Sequence, residues 1–242
     1  MTRKRALVIT ILVLLAASVV TASIMLSGKR DNAPSPGTSL GTNAEGFEIS
    51  PVAAGEGGTA LGPDGVTPIG YPPTCEGAYA AAINYRKAEQ TADKNWKKTQ
   101  QTLELIYTEP NAADSLQQLM QENGENDYLS PDVKSLGIFK PLSCEAGKNA
   151  QVVVSDVTVF KNFPGTEPYV LIQAGPTELV WKDNDWKRLP SYTGNAIETL
   201  SLHLQMDAAP TITHEIINAL FTADDGHAIS REGWMVVNNA SR

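Results

Sequence analysis

The chain holds little of what catalytic sequences are built from. It has two cysteines and three histidines in 242 residues. None of His203, His214 and His227 belongs to a His-Glu-x-x-His pair or a nucleophile elbow. His214 and Glu215 are neighbours, but adjacent helix positions point about 100° apart, so the two do not make a shared ligand pair. Cys75 and Cys144 lie too far apart, with no histidine beside either, to suggest a zinc site. The glycine-rich run from Gly55 to Gly62 lacks the Lys-Ser/Thr ending of a phosphate loop. Asp224-Asp225-Gly226 lacks the spaced oxygen ligands of a calcium loop and reads as a turn. No catalytic residue, cofactor or metal ion is therefore expected. Basic charge is also scarce: 19 Lys and Arg stand against 27 Asp and Glu. Five of the 19 fall in the first 30 residues, which leaves residues 31 to 242 with a balance of −13. A body that acidic repels phosphate backbones, which argues against a nucleic-acid partner.

What is present begins at the N-terminus. From Ala6 to Leu26 there are 21 consecutive uncharged residues, a helical length of about 31 Å against a hydrocarbon core of about 30 Å. Arg3, Lys4 and Arg5 precede the run, and Lys29 and Arg30 follow it. Cationic ends of this kind anchor a membrane helix, and the positive-inside bias keeps the N-terminus cytoplasmic. The competing reading is a secretory signal cut after Val20-Thr21-Ala22. The apolar run continues past that point through Leu26 and is longer than the usual apolar region of a signal, which favours an uncleaved single-pass signal-anchor. Both readings export everything that follows.

Residues 31 to 70 contain nine of the 19 glycines and five of the 15 prolines. This composition predicts a disordered tether with a reach of about 35 Å, so the chain divides into an anchor (1–30), a Gly/Pro linker (31–70) and an extracytoplasmic domain (71–242). In that domain Pro72-Pro73-Thr74 caps a first helix starting near Cys75. Ala78, Ala81, Tyr85, Ala88 and Ala92 recur along it at helical spacing. A second helical run carries Trp96, Leu103, Ile106 and Tyr107 and must stop before Pro110; a third spans 114–121. The period then shifts to that of strands at 151–160, 169–174 and 177–189. A two-residue hairpin loop at Asp183-Asn184 sets Trp181 opposite Trp186 and Lys182 opposite Asp185. A last helix at 211–223 and a terminal strand at 233–237 complete an α+β domain in which helices pack on a curved antiparallel sheet.

Cys75 and Cys144 both lie in the part predicted to be exported, where an even count favours one disulfide. That bridge would tie the start of the first helix to the segment ahead of the first strand. Asp156 is the one acid in the strand region that could serve a buried cavity; a solvent-facing strand position is its simpler reading. Asn239-Ala240-Ser241 fits a glycosylation sequon at the frayed end of the chain.

Gly65-Val66-Thr67-Pro68-Ile69-Gly70-Tyr71, followed by Thr74, Gly77-Ala78 and Ala80-Ala81-Ala82, resembles a motif of uncharacterised actinobacterial membrane-anchored proteins. In that family the motif follows a transmembrane helix and a Gly/Pro linker. The body is similar to the cone of nuclear-transport-factor-2-like extracytoplasmic domains, a shape also used by subunits of conjugation and secretion machines. The resemblance implies architecture and location, with transfer-machine membership by analogy, and brings no catalytic residues with it. Two functions are then open. The first is a membrane-anchored interaction domain that meets other envelope proteins, with a homo-oligomer left open. The second is a cavity-type small-ligand-binding or isomerase-like domain using Asp156.

Overall fold

The computed structural model describes residues 39–90, 96–109, 128–129, 136–160, 167–194 and 200–240. The expected anchor from Ala6 to Leu26 and the expected helix at 114–121 lie outside these residues. No helix of the described residues is long and apolar enough to cross a membrane. The fold is α+β; the described residues include three helices, α1 Cys75–Gln90, α2 Trp96–Ile106 and α3 His214–Leu220, around a mixed sheet. The strands are β1 Glu48–Ile49, β2 Ala60–Leu61, β3 Pro68–Ile69, β4 Tyr128–Leu129, β5 Ile138–Glu145, β6 Asn149–Phe160, β7 Tyr169–Lys182, β8 Asp185–Arg188, β9 Leu200–Leu204 and β10 Met235–Val236.

The main sheet runs β1-β10-β5-β6-β7-β8, with β4 also on β6 and β9 also on β7. Among the described residues every pairing between strands of this sheet is antiparallel except β1 with β10, which is parallel, so the expected all-antiparallel sheet is corrected at that edge. The two long strands β6 and β7 are the spine. Two short runs separated at Gly175-Pro176 were expected, but β7 passes through both residues, with Val153 opposite Pro176. On its other side the pairing of β7 with β9 stops at Ala174 and that with β8 starts at Leu179, so the proline, which has no N–H to give, sits in the gap between two neighbours. The hairpin after β7 is as expected. Asp183 and Asn184 both take positive φ (55° and 59°), and Trp181 lies opposite Trp186 with ring centroids 5.5 Å apart.

Alternation along β6 sends Ala150, Val152 and Val154 to one face and Val153, Val157 and Val159 to the other. Both faces are buried. On the first face lies α1, whose Ala78, Ala81, Tyr85 and Ala88 are buried as the small-residue stripe requires, together with Leu103 and Ile106 of α2. On the second face lie Ile217 and Leu220 of α3, then Phe221, Trp234 and Phe47. The helix expected at 211–223 is shorter than predicted, starting at His214 behind the N-cap Thr213.

The largest correction concerns the linker. Residues 39–70 are part of the folded body: Phe47, Val52 and Ala54 are buried. Ser50 N–H donates to the Val236 carbonyl (2.8 Å), and Asn238 N–H donates to the Val52 carbonyl (3.0 Å). The Asn239 side chain both accepts from Ala54 N–H and donates to its carbonyl, each at 2.9 Å. The end of the chain therefore clasps this stretch, and the sequon asparagine is its clasp. Composition is a poor guide to this segment because it does not have to build a core of its own. It adds to a sheet edge that already exists, while its glycines supply the turns.

Candidate functional site

The motif around Gly70 and Tyr71 meets the Trp hairpin at a buried carboxylate that sequence patterning did not single out. Asp185 Oδ1 accepts from Tyr71 N–H and from its own neighbour Trp186 N–H, both at 2.9 Å. Its Oδ2 accepts from Gly70 N–H (2.9 Å) and the Tyr85 hydroxyl (3.2 Å), with Lys187 Nζ at 3.8 Å. One side chain thus joins the loop before α1, α1 itself and β8. Trp186 Nε1 adds a bond to the Pro72 carbonyl (2.9 Å). The signal that could have revealed the hub was the predicted register, which already set Asp185 opposite Lys182 beside two tryptophans. A carboxylate there has to be either solvated or fully bonded.

The other motif positions follow from the same joint. Thr74 Oγ1 accepts from Gly77 N–H (3.0 Å) as the N-cap of α1. A Cβ at Gly77 would come within 2.2 Å of the Pro72 carbonyl oxygen, so the helix start fits there only without a side chain. Asn84, one turn before Ala88, accepts from Gly55 N–H (2.7 Å) and donates to the Glu56 carbonyl and to the Tyr71 hydroxyl (2.7 Å). Burial, and after it the charge of Asp185, raises the Tyr71 and Tyr85 hydroxyl pKa well above that of a free tyrosine. Burial also pushes Tyr79 up to about 12, with the Glu76 carboxylate adding to the shift. Tyr71 and Tyr85 are hydrogen-bonding rods in the core.

Cys75 and Cys144 form the expected disulfide, with Cα atoms 5.9 Å apart. Cys144 belongs to β5, a strand that Val/Thr patterning had missed, so the bridge fastens the first turn of α1 directly to the sheet.

Asp156 is where the structure corrects the solvent-facing expectation. It continues the even-numbered side of β6 that α1 covers, and it is 3% exposed. Arg86 of α1 reaches its Oδ2 with Nε at 2.8 Å and Nη2 at 2.7 Å. A solvent-facing strand position presumes one wet side of the sheet, and here both sides are covered. A cavity acid presumes apolar walls around the carboxyl, and Asp156 instead faces a guanidinium. Asp156 and Asp185 are not brought together: they lie opposite Gln173 and Lys182, nine residues apart along β7.

A groove of about 230 Å³ opens beside this joint, between the 51–57 stretch and the start of α1. Val52, Gly77 and Ala80 line it along with the exposed carboxylates of Glu56 and Glu76. Among the described residues, no group of His, Cys, Asp and Glu side chains is arranged to hold a metal ion. Compared with protein-family models, curated proteins and solved structures, the chain matches none.

Proposed function

We propose that this chain is a membrane-tethered extracytoplasmic interaction domain that works by binding other envelope proteins, as an accessory of a conjugation or secretion apparatus. The observation that carries the reading is the Cys75–Cys144 disulfide, formed by two cysteines that both follow the uncharged run from Ala6 to Leu26. The cone-like comparison belongs to the same proposal and draws support from α1, which lies across β5, β6, β7 and β8. The buried carboxylates favour binding over a cavity chemistry on Asp156, because Asp156 and Asp185 serve as internal joints.

The ordered 39–70 stretch changes what the anchor can do. If Ala6 to Leu26 spans the bilayer, only the 12 residues from 27 to 38 separate it from the folded body. Their contour is at most about 42 Å, in place of a tether more than three times as long. The domain then meets partners close to the membrane surface, at high effective concentration.

The test uses the full-length chain in intact cells. With Ser39→Cys, a membrane-impermeant maleimide should label the protein before lysis, and carbonate-washed membranes should retain it. Crosslinking should recover the same envelope protein from the native chain, and lose it when residues 1–30 are replaced by a cleavable export signal. Labelling only after lysis, or full release by carbonate, would refute the location. An unchanged crosslink from the released body would refute the need for the tether.

A further inference from the structure

The edges of the main sheet are not treated alike. The outer side of β1 is closed by the chain itself, through Leu40 N–H to the Ile49 carbonyl and Ile49 N–H to the Gly41 carbonyl, each at 2.8 Å. The outer side of β8 is closed by Thr108 N–H on the Arg188 carbonyl (3.0 Å) and by the Tyr107–Arg188 bridge. Past its pairing with β10, β5 has Lys140, Pro141 and a register irregularity between Pro141 and Ser143, all devices that discourage another strand. β9 has none of these. Its sequence Leu200-Ser201-Leu202-His203-Leu204 contains no Lys, Arg, Asp, Glu, Pro or Gly, and its pairing with β7 is regular over all five residues. Among the described residues it has no strand on its other side. Alternate residues of an edge strand point N–H and C=O groups away from their partner, and such a row binds an extended strand.

We infer that the strand received there is β9 of a second copy, paired antiparallel about a two-fold axis through Leu202. The reason is the symmetry of the strand's own pattern. Antiparallel pairing about Leu202 sets Leu200 opposite Leu204 of the other copy, Leu202 opposite its counterpart, and Ser201 opposite His203. The leucines then meet on the side of the second core, where Leu200 is buried and Leu202 and Leu204 are half-buried against it. Ser201 and His203, both exposed, meet on the other side. There His203 is already aligned by stacking on Tyr169, with centroids 5.8 Å apart and planes 20° apart. Charge selects the same edge. Residues 31 to 242 carry a balance of −13, so most ways of bringing two copies together oppose like charges. The uncharged β9 opposes none. The inference rests on the sheet alone and does not depend on the anchor.

Its test is a charge swap read by sedimentation of the full-length chain in detergent at several protein concentrations. The native chain should show a concentration-dependent dimer. Ser201→Glu with His203→Glu places carboxylates opposite carboxylates across the axis and should weaken the dimer at least about tenfold. Ser201→Glu with His203→Lys places each carboxylate opposite an ammonium and should restore it. Both positions are exposed, so the fold should survive, which near-ultraviolet circular dichroism checks. A parallel register test oxidises a mixture of Ser201→Cys and His203→Cys chains. The mixed pair should form a disulfide-linked dimer several-fold more readily than Leu40→Cys chains. A native chain that stays monomeric, equal behaviour of the two charge variants, or capture of a foreign strand at β9 in place of a second copy would each overturn the inference.

Discussion

The two faces of one sheet are closed by different means. The first face is covered by one long helix: α1 follows its own cap and motif, brings alanines against β6, and is fixed by Asn84, the Arg86–Asp156 pair, Asp185 and the disulfide, the last three reaching across 69 to 115 residues of chain. The second face is closed by several short, separate pieces of chain. Phe47 meets Phe221 at 5.5 Å, and Phe221 meets Trp234 at 5.3 Å. Arg231 lies over both phenylalanines and donates to the Glu45 carbonyl (2.9 Å) and to Asn218. A face covered by one regular helix can carry buried polar joints, because the helix backbone fixes the direction of each side chain. A face assembled from remote segments leans on aromatic bulk, which tolerates looser geometry. Changes on the two faces should therefore differ in kind as well as in size.

The largest single loss is expected on the first face. Asp185→Ala leaves the Gly70, Tyr71 and Trp186 amides and the Tyr85 hydroxyl without their acceptor. It should cost about 5 kcal/mol in denaturant unfolding, the upper end for a buried charged joint. Reducing Cys75–Cys144, whose partners are 69 residues apart, should cost about 4 kcal/mol by the chain-entropy model. A loss near zero would mean that Asp185 and the α1 start hold that face without it. On the second face Phe47→Ala should cost about 3 kcal/mol through the cavity left against Phe221 and Trp234. It should also free the 39–50 stretch for proteolysis while leaving Asp185 and the disulfide in place. Equal protease resistance of mutant and native chain would show that the stretch is held by something other than this ring.

Alkaline pH should separate the faces most gently. Tyr71, Tyr79 and Tyr85 are all on the first face, and the aromatic group of the second contains no tyrosine. Their hydroxyls titrate higher in the fold than in the unfolded chain, so the fold binds more protons once the pH passes about 10. The stability that this confers is fully present below pH 10 and is lost as the pH rises; for Tyr79 the window runs from about 10 to about 12. Each of these tyrosines can steepen the loss by up to about 1.4 kcal/mol per pH unit. Tyr79→Phe should flatten the decline, as followed by thermal unfolding between pH 9 and 12. An unchanged slope would count against Tyr79 as a source.

The same contrast explains what could be read from the chain beforehand. The start of α1, its alanine stripe, the second helical run, the Asp183-Asn184 turn with its Trp pair, and the disulfide all rest on residues near one another or on counting, and patterning reaches those. β5 was missed because Lys140, Pro141, Ser143 and Cys144 dilute its alternation. β9 was missed because five residues bordered by polar sequence give too short a period to detect. Residues 39–70 were misjudged because their burial depends on β10 and Asn239, almost 200 positions away. Asp156 was misplaced for a related reason: whether a strand side is wet depends on what covers it, and here the cover is Arg86 on α1.

The central claim is that the Gly/Pro-rich stretch closes the body. Native-state hydrogen exchange on the full-length chain, followed at the Ser50 and Gly55 amides, tests it most directly. Ser50 N–H is bonded to Val236 and Gly55 N–H to Asn84, so both should open with free energies within about 2 kcal/mol of the β6 amides, as members of one cooperative unit. Exchange at both sites as fast as in an unfolded chain, with β6 fully protected, would contradict it and return residues 39–70 to the role of a tether.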